Sequence, residues 1–525
     1  MKKLFKKMDH DLLKKVLFIS YCFLPVLELD YLIYDFLDKI GLPLPSTIFH
    51  YLWFPLLMVL TFLILEKKKR KVFCITAVLG AICLGYFVAH HFVVKDMFEL
   101  LYLTNLYAYS LAHEFSYYLT ILIPLFFVYV IVKIKPSYHW LHVLVVIMCC
   151  LISVPIFLSN IFEFGKSTYV GTVQANIFSW FTWGYDVYHP RELCAKFFFP
   201  EGNTIGIMMF GLYPLLIQVF IESKKRWYLL PLVVIHGLAM IMLGTRVATY
   251  GSILAVAAVI AIYVALFIFK KQKIDRVAFL VLLVLLCMFT AIYPYSPAKI
   301  NQDLAAESQF SVGMINEEEA EKINNGASEL IPGTIEYNYY YIHIFLDQQL
   351  YKYLTFPDIY YTWMYPYDID AKFYVDLVTV VPFELRADGR DFEKYFFNYK
   401  WKNLNEWQKL FGFSYSMFMN GGITLEQDFI VQKYMYGYLG FAIMSIPWLA
   451  LLGVIILKAL SILEKAFNSN VLMLGVSVCA MYLSAYASGH VMDEYLSSLF
   501  VALLLGMLIN SIFKKEPVVE DKKNA

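Results

Sequence analysis

Apolar residues along the chain gather into runs of about 18 to 25 residues, separated mostly by short polar segments. A run of this length crosses the roughly 30 Å hydrocarbon core of a bilayer as a helix. The pattern therefore predicts an all-α polytopic membrane protein with about twelve transmembrane helices. The predicted spans are 15–34, 50–66, 72–94, 116–134, 139–162, 204–222, 226–244, 247–269, 276–296, 437–458, 470–489 and 495–513. Composition supports this class, because 60% of the residues are hydrophobic and only 16% are charged.

The first predicted span is the least regular, because Glu28 and Asp30 interrupt its outer half. Its apolar part is too long for a cleavable signal, and no small-residue cleavage site follows, so we expect a retained helix. Acidic residues inside a span usually face a cavity. We therefore expect Glu28 and Asp30 to line an entry path for lipid or glycan.

Basic residues indicate the orientation of the spans. They occur in the N-terminal MKKLFKK, in five short connectors such as EKKKRK at 66–71, and in KK at 514–515. With twelve spans all of these segments fall on one side, which the positive-inside rule makes cytoplasmic. Both termini are therefore predicted to be cytoplasmic. The net charge of +1 identifies no partner, because basic and acidic residues are predicted to lie on opposite sides of the membrane.

The predicted organisation has four parts: transmembrane helices 1–9 in 1–297, a large and partly helical extracytoplasmic loop at 298–427, transmembrane helices 10–12 in 428–513, and a cytoplasmic tail at 514–525. The loop carries 19 Asp and Glu against 10 Lys and Arg, and it is rich in tyrosine. Carboxylates and aromatic rings suit sugar hydroxyls and apolar sugar faces. The alternative is a cap on the outer leaflet, with its tyrosines in the interfacial belt.

A lone arginine, Arg246, lies at the seam of two predicted spans in the segment MLGTRVATYGS, 242–252. The predicted topology places it on the same outer side as the long loop. Such an arginine either snorkels to the interface without a function or belongs to a site. Three further outer segments, 385–403, 425–441 and 487–500, favour a site. They contribute Arg386, Arg390, Glu426, Asp428, His490, Asp493 and Glu494.

Several of these candidates have alternative interpretations. Glu426 and Asp428 are two residues apart, so one can point into a site while the other caps a helix N-terminus. His490, Asp493 and Glu494 resemble a metal cluster, but the ligand count is short. A polar helix-hairpin turn at the interface is the preferred interpretation, and the same turn can also line an acceptor channel. Asn203 can bind a sugar or diphosphate, or cap a helix. The adjacent His90 and His91 are interpreted as interfacial.

These segments together resemble the superfamily of O-antigen ligases and O-antigen polymerases, in a Gram-positive-type variant. The matching motifs are GTR at 244–246, GRD at 389–391, LFGFSY at 410–415 and EQDFIVQKYMYGYLG at 426–440. Each motif is short, and their order around one large outer loop gives the resemblance its specificity. The resemblance implies location in a bacterial cytoplasmic membrane.

The resemblance also implies a chemistry, in which a glycan moves from an undecaprenyl diphosphate carrier to an acceptor hydroxyl on the outer face. Arg246 and Arg390 correspond to arginines that hold the diphosphate, which suits the two-pronged binding of phosphate by guanidinium groups. Glu426 stands where many relatives have a histidine, and it is preferred to Asp428 as the general base. Direct attack by the acceptor would invert the anomeric centre.

The expected partners are the lipid-linked glycan donor, a glycan or cell-surface acceptor, and the lipid bilayer. We expect no nucleic acid, no metal and no cofactor. Arg386, Asn203, His490 and Asp493 are predicted to contact substrate. Ligase and polymerase remain alternatives, since both use the same donor. A transporter or flippase is the other class, although the unequal halves of the chain argue against repeated halves.

Overall fold

The computed structural model describes residues 2–169, 171–311, 315, 317–382 and 389–513, so the predicted tail at 514–525 lies outside the described residues. In the described part the chain is helical, with two isolated β-bridges near residues 166–195 and no longer strand. The predicted all-α class is confirmed. Nine apolar helices precede the long loop: Asp9–Lys39 (α1), Pro45–Leu65 (α2), Lys69–Val94 (α3), Leu111–Ile134 (α4), Tyr138–Phe162 (α5), Gly202–Glu222 (α6), Arg226–Met242 (α7), Arg246–Ile268 (α8) and Arg276–Glu307 (α9).

The segment predicted as a loop is partly helical. Its further helices are Glu317–Gly326 (α10), Ile335–Asp347 (α11), Ala371–Thr379 (α12), Gly389–Lys402 (α13), Glu406–Phe411 (α14) and Tyr415–Gly421 (α15). Three apolar helices follow: Asp428–Ser461 (α16), Ser469–Ala487 (α17) and Tyr495–Ile512 (α18). Among the described residues, 11 helices are long and apolar enough to cross a membrane, and α7, the seventh predicted span, is shorter. The chain is therefore a multi-pass membrane protein.

The connector before α9 illustrates how local sequence ends these helices. The carboxylate of Asp275 accepts hydrogen bonds from the backbone N–H groups of Ala278 and Val277, which caps α9, and it also pairs with Arg226. These hydrogen bonds, the one from Ala278 first and then the one from Arg226, lower the pKa of Asp275. The basic connector residues thus help to fix the ends of neighbouring helices.

The described residues divide into two compact units. Unit 1 comprises Met1–Thr76, Leu119–Asn301 and Pro447–Ala525. Within it, α6 and α18 are the most enclosed helices, and α6 packs against α5, α7, α8 and α17. This packing gives unit 1 a core made of membrane helices.

Unit 2 comprises Ala77–Tyr118 and Gln302–Ile446. Its core is aromatic, with Tyr365, Phe373, Tyr374 and Phe396 fully enclosed and their rings in edge-on or tilted contact. Such pairs stabilise a core beyond the area that they bury. The loop tyrosines accordingly divide, because some pack inside unit 2 while others, such as Tyr339, remain exposed.

Candidate functional site

The arginine turn of unit 1 is a tight connection between α7 and α8. Gly244 has a positive φ of 72°, and a Cβ at this position would clash with the side chain of Cys194. Thr245 is buried and caps α8 by accepting a hydrogen bond from the N–H of Ala248. Arg246 is then the first residue of α8, and its side chain is exposed. The turn therefore presents a guanidinium at the positively polarised N-terminus of a helix.

The N-terminus of α6 packs directly against this turn. A Cβ on Gly202 would lie 3.5 Å from the side chain of Thr245, and a Cβ on Gly206 would lie 2.9 Å from its Oγ1. Small residues thus let two positively polarised helix ends approach each other in unit 1. Asn203 is the second residue of α6, whose cap is Glu201. The cap interpretation of Asn203 is therefore wrong, and its half-exposed side chain lies in the first turn of α6.

The segment between α5 and α6 supports the arginine turn from one side. The Thr168 hydroxyl donates to the carbonyl of Leu243 at 2.6 Å, and the Tyr169 hydroxyl donates to the carbonyl of Gly244 at 3.0 Å. Burial raises the pKa of the neighbouring Cys194 thiol to about 12, so this cysteine is a packing group. These contacts hold the backbone that precedes Arg246.

Unit 2 brings two other candidates together. Arg390, in the first turn of α13, forms an ion pair with Glu426, and each side chain is about one-third exposed. Helix α16 begins at Asp428, so Glu426 lies on the extended segment before the helix. Asp428 is fully buried in the first turn of α16. The two carboxylates therefore have different environments. Arg386 lies outside the described residues.

The LFGFSY and YGYLG motifs cross each other at two glycines. Gly412 and Gly437 both have positive φ, and a Cβ on either residue would collide with the backbone of the other. The N–H of Phe413 donates to the carbonyl of Tyr434 at 2.8 Å. Gly437 also interrupts the helical geometry of α16. The crossing therefore fixes the segment that carries Glu426 relative to α14 and α15.

A buried carboxylate that the sequence interpretation missed holds the same motif. Glu114 is fully buried and accepts hydrogen bonds from His90, from the Ser414 hydroxyl at 2.8 Å, and from the N–H groups of Tyr415 and Ser416. His90 is also fully buried, with Nδ1 2.9 Å from the carbonyl of Phe411. The interfacial interpretation is therefore wrong for His90. The signal available in the sequence was His90, an ionisable residue inside the predicted span 72–94.

The turn between α17 and α18 contains the remaining polar candidates. His490 Nδ1 lies 3.7 Å from an oxygen of Asp493, and both side chains belong to unit 1. Burial, and then the charges of Asp493 and Glu28, raise the pKa of Glu494 well above its usual range. Within the described residues, no three His, Cys, Asp or Glu side chains form a group suited to a metal ion. Asp493 and Glu494 make this turn acidic, and the burial of Glu494 shows that it is partly enclosed.

The predicted pair in α1 also lies in unit 1, at the edge of a cavity. Glu28 and Asp30 line this cavity together with Glu201 and Glu494. The structure therefore groups acidic residues that are far apart in the sequence. The expected role of Glu28 and Asp30 in an entry path remains a prediction.

Residues 10–515 match the family described as O-antigen ligase like membrane protein. The match extends over almost the whole chain, and it includes residues of both units. No curated protein sequence matches the chain significantly.

Proposed function

Because the chain belongs to the O-antigen ligase like family of membrane proteins, we propose that it transfers a glycan from an undecaprenyl diphosphate carrier to an acceptor hydroxyl. The family indicates an enzyme of lipid-linked glycan transfer. The reaction takes place at the outer face of a bacterial cytoplasmic membrane, with both termini of the chain on the cytoplasmic side. The basic connectors support this orientation.

The observation that carries the proposal is the exposed Arg246 at the N-terminus of α8, packed beside the N-terminus of α6. Two helix N-termini and a guanidinium concentrate positive charge and N–H donors, which suits a diphosphate. The leaving diphosphate gains negative charge as the glycosidic bond breaks. Arg246 would stabilise this charge in the transition state, with Asn203 as a second hydrogen-bond donor.

In unit 2, Glu426 is the proposed general base. The acceptor oxygen forms a bond to the anomeric carbon, its proton passes to the Glu426 carboxylate, and the anomeric C–O bond to the diphosphate breaks with its electron pair. Direct displacement of this kind inverts the anomeric centre. Arg390 orients Glu426 through their ion pair, and it contributes positive charge toward the diphosphate. Asp428 is the alternative base, but its complete burial favours Glu426.

The other polar candidates are proposed to contact substrate. His490 and Asp493 lie on the turn before α18, where their pair supplies a hydrogen-bond donor and a carboxylate to the acceptor. Arg386 is assigned to the glycan or diphosphate by its place in the motif beside Arg390. These assignments include no metal and no nucleotide sugar.

The test is the pattern of surface and lipid-linked glycan in cells that carry wild-type protein, Arg246→Ala, Arg390→Ala or Glu426→Gln, at matched membrane levels. Each variant should accumulate undecaprenyl-linked glycan. Single repeat units would identify a polymerase, and long unattached chains would identify a ligase. The matched control is Arg276→Ala, because Arg276 is also the exposed first residue of an apolar helix, α9. Normal glycan in all three variants would contradict the proposal and favour a transporter.

A further inference from the structure

Unit 1 contains an acidic cavity of ≈ 230 Å³. This volume is below the range of about 300–1,000 Å³ that encloses drug-sized ligands, so the cavity suits one small group of a ligand. Four carboxyl groups from three parts of the chain line it: Glu28, Asp30, Glu201 and Glu494. The carboxylate of Asp30 accepts a hydrogen bond of 2.6 Å from the N–H of Ser46, which ties the end of α1 to the start of α2. The cavity is thus held by structured backbone.

Two enclosed polar side chains of the cavity wall have a polar atom without a hydrogen-bond partner in the described part of the chain. His50 and Thr204 line the cavity with exposures of only 7% and 3%. In the described part of the chain, neither Nε2 of His50 nor Oγ1 of Thr204 has a hydrogen-bond partner. A buried polar group without a partner costs free energy, and a polar ligand that supplied the missing hydrogen bonds would recover it. These two groups therefore indicate a polar occupant.

The charge of the wall restricts this occupant further. Among the described lining residues there is no lysine or arginine, so the cavity disfavours an anion such as a phosphate or a carboxylate. A carboxyl group with a raised pKa, such as that of Glu494, both donates and accepts hydrogen bonds. The ring of Tyr495 lies 4.4 Å from the ring of His50, and Tyr31 adds an aromatic face. Hydroxyl groups on an apolar ring, or an ammonium group, fit such a wall.

The cavity shares the first turns of α6 with the arginine turn. Glu201 and Thr204 face the cavity, whereas Gly202 and Gly206 contact Thr245, the residue before Arg246. The arginine turn and the cavity therefore adjoin the same end of α6.

We propose that this cavity binds the sugar ring next to the diphosphate of the donor, accepts an uncharged or amine-bearing ring, and rejects a ring that carries a carboxylate. The assignment rests on the proposed function. The additional claim is that the cavity wall formed by Glu28, Thr204 and Glu494 determines which sugar ring binds next to the diphosphate.

The test measures thermal unfolding of the purified full-length protein in a sugar-free detergent. Methyl α-glucoside and glucosamine should raise the melting temperature, and glucuronate at the same concentration should not. Thr204→Val and Glu494→Met, which remove hydrogen-bonding groups from the wall, should each weaken the binding of the two effective probes about tenfold, the scale of one lost hydrogen bond to a polar or charged group. Asp186→Asn is the matched control, because Asp186 is an exposed acid of unit 1 that does not line the cavity.

Thr204→Val separates binding from folding. Removing a hydroxyl that has no partner should leave the unliganded protein as stable as the wild type or more stable, while probe binding falls. No shift with either probe, an equal shift with glucuronate, or binding that survives both variants would each overturn the proposal. A shift with Ca²⁺ alone would assign the cavity to a cation and overturn it as well. Glu426→Gln should bind the probes normally even though it lacks the proposed general base. A failure of the proposed transfer reaction is therefore distinguished from a failure of the cavity to bind a sugar.

Discussion

Arg390 and Glu426 form an ion pair in unit 2, with side-chain exposures of 31% and 33%. An ion pair this accessible to water contributes between 0 and about 1 kcal/mol to stability. The pair is therefore a poor explanation for how α13 and the segment before α16 are held, since the glycine crossing and the aromatic core hold them better. Its accessibility instead leaves both groups open to a substrate.

The first prediction separates chemistry from structure by reversing the pair. Glu426→Gln and Arg390→Ala should reduce glycan transfer by about 100-fold or more, the usual effect of losing a general base or a charge-stabilising group, at near-normal membrane levels. The double variant Arg390→Glu/Glu426→Arg restores an ion pair but exchanges the roles, so it should stay inactive. The rate of glycan transfer in each variant is measured as the conversion of lipid-linked glycan in isolated membranes.

Reversing the exposed pair of Glu406 and Lys409, whose charged atoms are 2.8 Å apart, provides the control and should leave transfer unchanged. Recovery of the wild-type rate in the Arg390→Glu/Glu426→Arg variant would show that the pair acts only in the structure.

The second prediction concerns the backbone crossing of Gly412 and Gly437. Alanine at either position should destabilise unit 2, because a positive φ costs a residue with a side chain roughly 1–2 kcal/mol and the added Cβ has no space. Lower membrane levels and a lower melting temperature are the expected results. Gly453→Ala is the control, since a Cβ there meets nothing within 4 Å and φ is not positive. Equal behaviour of Gly437→Ala and Gly453→Ala would contradict the crossing.

The membrane helices could be predicted from sequence because their signal is local. Eleven apolar runs correspond to long helices, and the seventh became the shorter helix α7. Arg390 and Glu426, two of the predicted site residues, form an ion pair, whereas the shared site and the roles of these residues and of Arg246 stay predictions.

The parts that escaped prediction depend on contacts between distant residues. Glu114 lies two residues before the fourth predicted span, 116–134, and its partners Ser414 and Ser416 come about 300 residues later. Nothing near Glu114 in the sequence indicates them. The crossing at Gly437 could not be predicted for the same reason, because it depends on the close approach of the Gly412 backbone. The acidic cavity likewise depends on how the ends of α1, α6 and α18 meet.

The third prediction tests the buried network around Glu114. Glu114→Gln places an amide nitrogen among donors, because His90, Ser414, Tyr415 and Ser416 all point at this carboxylate. Breaking a buried charged network of this kind costs about 3–5 kcal/mol, so we expect a sharp fall in thermal stability and loss of transfer. Glu99→Gln, at an exposed position of unit 2, should have no effect. Normal stability of Glu114→Gln would mean that the network does not hold the LFGFSY segment.

The fourth prediction is a rise in the stability of unit 2 with pH, caused by Lys400. This lysine is fully buried, donates to the carbonyl of Leu101 at 2.8 Å, and lies 3.6 Å from Asp370. Burial lowers its pKa from 10.5 to about 8, against the opposing effect of Asp370. Between these values the unfolded chain binds more protons than the folded chain, so the free energy of unfolding should rise with pH.

The full gain is on the order of 3 kcal/mol between pH 8 and 10.5, and it is lost as the pH falls from 10.5 to 8. The measurement is the melting temperature of wild type and of Lys400→Met/Asp370→Asn at several pH values from 7.5 to about 10. The difference in melting temperature, wild type minus variant, should increase with pH. Lys394→Met removes a lysine that is one-third exposed, and it should keep the wild-type profile. A difference that stays constant with pH would show that Lys400 remains charged throughout this range.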